Sequence, residues 1–142
     1  MEKIKSAVIG CGRMGAFTSD IAKKYGPKCW FPLSHIEALK EFSDISVEAI
    51  CDVNSSLLEK AKGEYGIKHT YNNYNELFSN HKIDLLCIAT RTREREKIIQ
   101  VGIENGIKAF HIEKPLCNSV KQLNKLESLV TADSLESSIN LK

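Results

Sequence analysis

Proline is scarce, three in 142 residues, and tryptophan occurs once. No apolar stretch approaches the roughly 20 residues that a membrane-crossing helix needs, so no membrane role is expected. Neither sign of charge dominates. Twenty Lys and Arg stand against eighteen Asp and Glu, a net charge of +2, too small for the basic footprint of a nucleic-acid binder or a polybasic membrane patch. The start, Met1-Glu2-Lys3-Ile4-Lys5, has no apolar leader core or cleavage site, so no signal peptide and a cytoplasmic location are expected. The five cysteines, at 11, 29, 51, 87 and 117, form no CxxC and are odd in number. That spacing excludes a disulfide scaffold or zinc module and points to reduced thiols. His35, His69 and His81 are scattered without metal-ligand spacing, and no metal is expected.

What is there is an alternation of two segment types. Short apolar, β-branched runs occupy 4–9, 45–51, 83–89 and 107–112. They are continuous rather than alternating, as parallel strands covered on both faces are. Between them lies helical spacing: Met14, Phe17, Ile21 and Tyr25; Leu58, Ala61 and Tyr65; Ile99 and Ile103; Leu123, Leu126 and Val130. Ser56 with Glu59 and Ser119 with Gln122 have capping-box form at two helix starts. A short strand is expected at 69–71 and short helices at 74–78 and about 35–42. Strand–helix–strand alternation predicts a single-domain α/β fold, a Rossmann-type doubly wound and mostly parallel sheet. Residues 1–130 form that domain, and 131–142 read as a polar C-terminal extension.

Gly10-Cys11-Gly12-Arg13-Met14-Gly15 is a GxGxxG directly after the first strand and before a helix. The first glycine allows the tight turn, the second lets main chain approach a pyrophosphate, and the third permits close helix packing. Asp52 ends the second strand, where a carboxylate can accept from both adenosine-ribose hydroxyls; the alternative is a cap on the next helix. The usual interval is about 20 residues; here 37 separate Gly15 from Asp52, an excess assigned to a 26–34 insertion and the short helix after it. The acid repels a 2′-phosphate and Val53-Asn54 offers no arginine for one, so NAD is favoured over NADP. Farther on, the fifth strand ends in Glu113-Lys114-Pro115, which brings Lys114 to the crevice at the carboxyl ends of the strands.

In this order the glycine loop, Asp52, Ile88-Ala89-Thr90 and Glu113-Lys114-Pro115 resemble the NAD(P)-binding domain of the Gfo/Idh/MocA oxidoreductases, the glucose–fructose oxidoreductase and inositol dehydrogenase family. The resemblance covers about 3–130. It implies that Gly10, Cys11, Gly12, Arg13, Met14 and Gly15 cradle the pyrophosphate and that Asp52 holds the ribose. It also implies that Ala89 and Thr90 line the nicotinamide side, that Glu113 lies near the nicotinamide ribose, and that Lys114 acts on the substrate. Hydride transfer to or from a sugar, cyclitol or sugar nucleotide is the implied activity.

Three departures stand out. Arg91 and Arg95 replace the family's usual Pro and His; with Arg93 they offer an anion clamp or a solvated helix start paired to Glu94 and Glu96. The 26–34 loop is extra, and its Cys29-Trp30-Phe31-Pro32 reads as an interface patch or a local cap. The substrate domain that follows in the family lies outside these residues, so poor activity alone is expected. A partner or a second copy could then use the face that domain covers. The alternative reading is a non-catalytic nucleotide-binding or interaction module. His111 reads as a packed strand residue or an acid–base group, and Cys11 as a small filler whose pKa a helix start could lower.

Overall fold

A computed structural model of the chain describes residues 2–132 and 136–139. The four apolar runs form β1 (Ile4–Ile9), β2 (Ile45–Cys51), β4 (Leu85–Ile88) and β5 (Ala109–Ile112). With β3 (His69–Tyr71) and β6 (Glu136–Ile139) they build one parallel sheet in the order β3-β2-β1-β4-β5-β6. The helices are α1 (Asp20–Tyr25), α2 (His35–Lys40), α3 (Ser55–Tyr65), α4 (Tyr74–Asn80), α5 (Thr92–Glu104) and α6 (Val120–Ala132). No helix among the described residues is long and apolar enough to cross a membrane.

The continuous apolar runs are explained by two cores. Ile9, Leu86, Ile88, Phe110 and Ile112 pack against Leu77 and Phe78 of α4, Ile98 and Ile99 of α5, and Leu126 of α6. On the opposite face Val8, Ile50 and Cys87 meet Ile36 and Leu39 of α2 and Leu58 and Ala61 of α3. Strands covered on both sides need apolar residues at successive positions, not alternate ones.

The ladder continues one residue beyond the strands. Gly10 N–H donates to Cys51 O at 2.8 Å and Asp52 N–H to Tyr71 O at 3.1 Å. Ala89 N–H donates to Ile9 O at 2.8 Å and Glu113 N–H to Ile88 O at 3.0 Å. Four residues singled out from the sequence therefore stand in a row at the carboxyl edge of the sheet. The strand order reverses between β1 and β4, and this switch point is where such sheets open a crevice.

The first helix corrects the reading most. The apolar spacing of Met14, Phe17, Ile21 and Tyr25 predicts one helix running on from the glycine loop. Instead Gly12–Ala16 makes a single turn, and α1 begins only at Asp20, where the Ser19 side chain accepts from Ala22 N–H. Ile21 and Tyr25 are 74% and 72% exposed. The main chain of α2 completes the interrupted helix: His35 N–H donates to Met14 O at 2.8 Å and Ile36 N–H to Gly15 O at 2.9 Å. An α-helical bond joins residue i to i+4, so His35 occupies the place of residue 18 and the chain makes a 17-residue excursion, 17–33. Removing those 17 residues shortens the step from Gly15 to Asp52 from 37 positions to 20, the interval usual for this loop and acid. The insertion is thus longer than 26–34 and starts earlier.

The neck of the excursion is bonded shut. Thr18 Oγ1 donates to Glu37 Oε2 at 2.6 Å, Ser34 Oγ to Ala16 O at 3.1 Å, and Lys23 pairs with Glu37 at 3.3 Å. Ser34 and Glu37 form a capping box at the start of α2 that the sequence reading overlooked.

Two helix starts also differ from expectation. Asn54, not Ser56, caps α3, its side chain accepting from Ser56 and Leu57 N–H. Ser119 Oγ does accept from Gln122 N–H, but Gln122 reaches back to Asn118 rather than to Ser119. The expected polar extension over 131–142 contains the last two residues of α6 and also β6, whose main chain pairs in parallel with β5 from Ala109↔Glu136 to Ile112↔Ile139. Edge pairing uses main-chain bonds, so a polar segment can supply it.

Since the excursion leaves the helix and rejoins it in register, deleting 17–33 and joining Ala16 to Ser34 should preserve the fold. Urea unfolding should stay cooperative, with stability within about 2 kcal/mol of the parent. A non-cooperative transition would contradict the spliced-helix account.

Candidate functional site

The glycine loop is shaped by contact on two sides and space on the third. Gly10 has φ +96°, and a Cβ there would lie 2.7 Å from Ala89 C and 2.9 Å from Thr90 N. A Cβ on Gly15 would lie 1.6 Å from Gly10 O, so the turn rests directly on the loop. A Cβ on Gly12 would meet nothing within 4 Å. Backbone is therefore pressed into the protein at Gly10 and Gly15 and bared at Gly12.

Asp52 is bonded to this loop. Its Oδ2 accepts Cys11 N–H at 2.7 Å, its Oδ1 accepts Asn54 N–H at 2.8 Å, and Asn72 Nδ2 donates to its carbonyl at 2.9 Å. The cap on α3 belongs to Asn54, so Asp52 has no capping duty there.

Gly10, Gly12, Asp52, Ala89 and Thr90 line one cleft of about 900 Å³, together with Val53, Arg91 and the 72–75 segment. That volume is at the upper end for small-molecule and cofactor sites. Cys11, Arg13, Met14 and Gly15 belong to the loop but do not line the cleft. Cys11 is fully buried, and its thiol is pushed up to about 12, first by burial and then by Asp52 and Cys51. Burial outweighs any lowering by the helix start, in keeping with a small buried filler.

Glu113 and Lys114 are not among the residues lining this cleft. Glu113 is 4% exposed, and its Oε1 lies 2.9 Å from His35 Nε2; Lys114, next in sequence, is exposed. His35 itself is 5% exposed, and its ring centroid is 4.8 Å from that of His111. Its Nδ1 has no hydrogen-bond partner among the described residues. His111 packs on this ring, and burial and then His35 hold its pKa below the usual value. The sequence reading missed the His35–Glu113 contact because the residues are 78 apart; the capping box at Ser34 was the available sign that His35 opens a helix.

Arg95 falls under neither reading made of it. It is 4% exposed and binds main-chain carbonyls, with Nε and Nη2 donating to Thr90 O at 3.0 and 2.6 Å and Nη1 donating to Glu113 O and Pro115 O. Burial lowers its pKa, opposed by Glu113. Of its expected partners, Glu94 pairs with Arg93 at 3.5 Å and Glu96 with Lys125 at 2.6 Å.

Residues 4–140 match the family described as Gfo/Idh/MocA, oxidoreductase family, NAD-binding Rossmann fold. A D-apiose dehydrogenase of Paraburkholderia graminis is 24% identical over 81% of this chain and 26% of its own length. A myo-inositol 2-dehydrogenase of Thermotoga maritima is 23% identical over 87% of this chain and 31% of its own. The chain thus spans less than a third of either relative. The crystal structure of an oxidoreductase from Agrobacterium radiobacter in complex with NAD+, L-tartaric acid and magnesium superposes with a TM-score of 0.78. It is 18% identical and covers 97% of this chain and 35% of that one.

The loop geometry separates two glycines that look alike in sequence. Gly15→Ala should destabilise the protein by about 1–3 kcal/mol in urea unfolding, since main chain must move. Gly12→Ala should cost less than about 1 kcal/mol, having no contact to disturb. Equal losses would contradict the described loop.

Proposed function

The chain belongs to the Gfo/Idh/MocA oxidoreductase family, whose shared unit is an NAD-binding Rossmann fold, and from that premise we propose that it holds NAD(H) across the switch-point crevice. The carrying observation is the pairing of bared main chain at Gly12 with the Asp52 carboxylate bonded to the adjacent Cys11 N–H. A cradle that close-packs at Gly10 and Gly15 yet opens at Gly12, beside an acid and a cleft of about 900 Å³, fits a dinucleotide.

Within the loop from Gly10 to Gly15, the N–H groups of Gly12, Arg13 and Met14 would hold the pyrophosphate, with Gly10, Cys11 and Gly15 shaping the turn, since main-chain N–H groups bind such an anion without needing a cation. Asp52 would accept from the adenosine-ribose hydroxyls, and its charge disfavours the 2′-phosphate of NADP. Ala89 and Thr90 would flank the nicotinamide side, with Glu113 near its ribose. When bound, the nicotinamide supplies hydride chemistry at C4. Lys114 would polarise the substrate oxygen, a role suited to an exposed ammonium on a turn whose neighbours are bonded in place.

The substrate class is a sugar, cyclitol or sugar-nucleotide-type compound, in keeping with the dehydrogenase names of the two curated relatives. Because the chain spans under a third of those relatives, this activity belongs to the proposal, as does weak turnover by these residues alone. A cytoplasmic location accords with five cysteines that are all free.

Titration with NADH, read by nicotinamide fluorescence, should saturate, with NADPH binding more weakly. Asp52→Ala removes a charged acceptor contributing about 1.5–3 kcal/mol, so NADH should weaken roughly 10- to 150-fold while the preference over NADPH shrinks. Absence of saturation up to millimolar NADH would refute the cofactor assignment. Undiminished preference in the variant would take the ribose role from Asp52.

A further inference from the structure

The guanidinium of Arg95 joins two loops that follow different strands. Thr90 lies just after β4, while Glu113 and Pro115 lie just after β5, and carbonyls of all three converge on this one side chain. Sheet pairing does not need it. The β4–β5 ladder is already carried through Glu113 N–H to Ile88 O, and the Arg95 bonds begin where that ladder ends. A planar fork of five donors suits three carbonyls in two directions, which a lysine ammonium on a flexible stem does not reproduce.

The same turn is held from another direction by His35 on the Glu113 carboxylate. Lys114 sits between the two carbonyls that Arg95 binds, and its own side chain is exposed.

We propose that Arg95 is a positioning residue that fixes the Thr90 loop and the Glu113–Pro115 turn at one separation, and so sets the mouth of the crevice into which the nicotinamide half of the nucleotide enters. This rests on the dinucleotide reading above and adds to it a specific determinant of one half of the ligand. The adenosine half would depend on the glycine loop and Asp52, to which Arg95 makes no hydrogen bond among the described residues. Loss of Arg95 therefore discriminates between ligands with and without nicotinamide, which a general loss of stability does not.

The test compares NADH with ADP-ribose, which lacks the nicotinamide, on the parent chain, Arg95→Lys and Arg95→Ala. ADP-ribose affinity should change less than about twofold in both variants, while NADH weakens about tenfold. Guanidinium at tens of millimolar should restore part of the NADH affinity to Arg95→Ala and none to Arg95→Lys, whose side chain fills the space. Arg95→Lys keeps the charge and most of the volume, so it remains informative if the alanine variant unfolds. Parallel weakening of both ligands, or unchanged NADH affinity, overturns the positioning role. Failure of the parent itself to bind either nucleotide removes the dinucleotide reading and this inference with it.

Discussion

The main-chain ladder of the parallel sheet, carried one residue past the strand ends, is what the rest depends on. It places Gly10, Asp52, Ala89 and Glu113 side by side at the carboxyl edge, although up to 103 positions separate them in the chain. Each is held by its own N–H on the last carbonyl of the neighbouring strand, a bond that satisfies the main chain where the strand stops. The chemistry-bearing positions are thus fixed by the same bonds that make the fold.

From that edge the site is built by contact and by space. Gly10 and Gly15 let backbone touch backbone, and Gly12 leaves it bare toward the cleft. Asp52 reaches across from β2 to bind the loop, so the carboxylate and the open amide region share one rigid unit. At the other end, Arg95 and His35 secure the turn on either side of Lys114 by its carbonyls and its neighbouring carboxylate. Lys114, itself exposed, thus stands on a turn that is bonded on both sides.

Features encoded locally were legible in the sequence. The strands announced themselves as continuous apolar runs because both faces are covered, and the GxGxxG and Asp52 followed them directly. The first helix misled for a physical reason: Met14 lies in the single turn and Phe17 packs at the start of the excursion, whereas Ile21 and Tyr25 are exposed farther along it, and their helical spacing carries no burial. Only the bonds of His35 and Ile36 to Met14 and Gly15 reveal the splice. Arg95 was misread because its partners are carbonyls, which no side-chain pattern displays. The His35–Glu113 pair was hidden by distance along the chain, and β6 by a polar composition that edge pairing does not forbid.

The most direct measurement is a crystal structure of the chain grown with NAD+. The pyrophosphate should lie on main-chain N–H groups of the Gly12–Met14 segment and both adenosine-ribose hydroxyls on the Asp52 carboxylate, with the nicotinamide directed toward Thr90 and Glu113. A nucleotide seated elsewhere, or a ribose turned away from Asp52 with the loop unengaged, would contradict this placement.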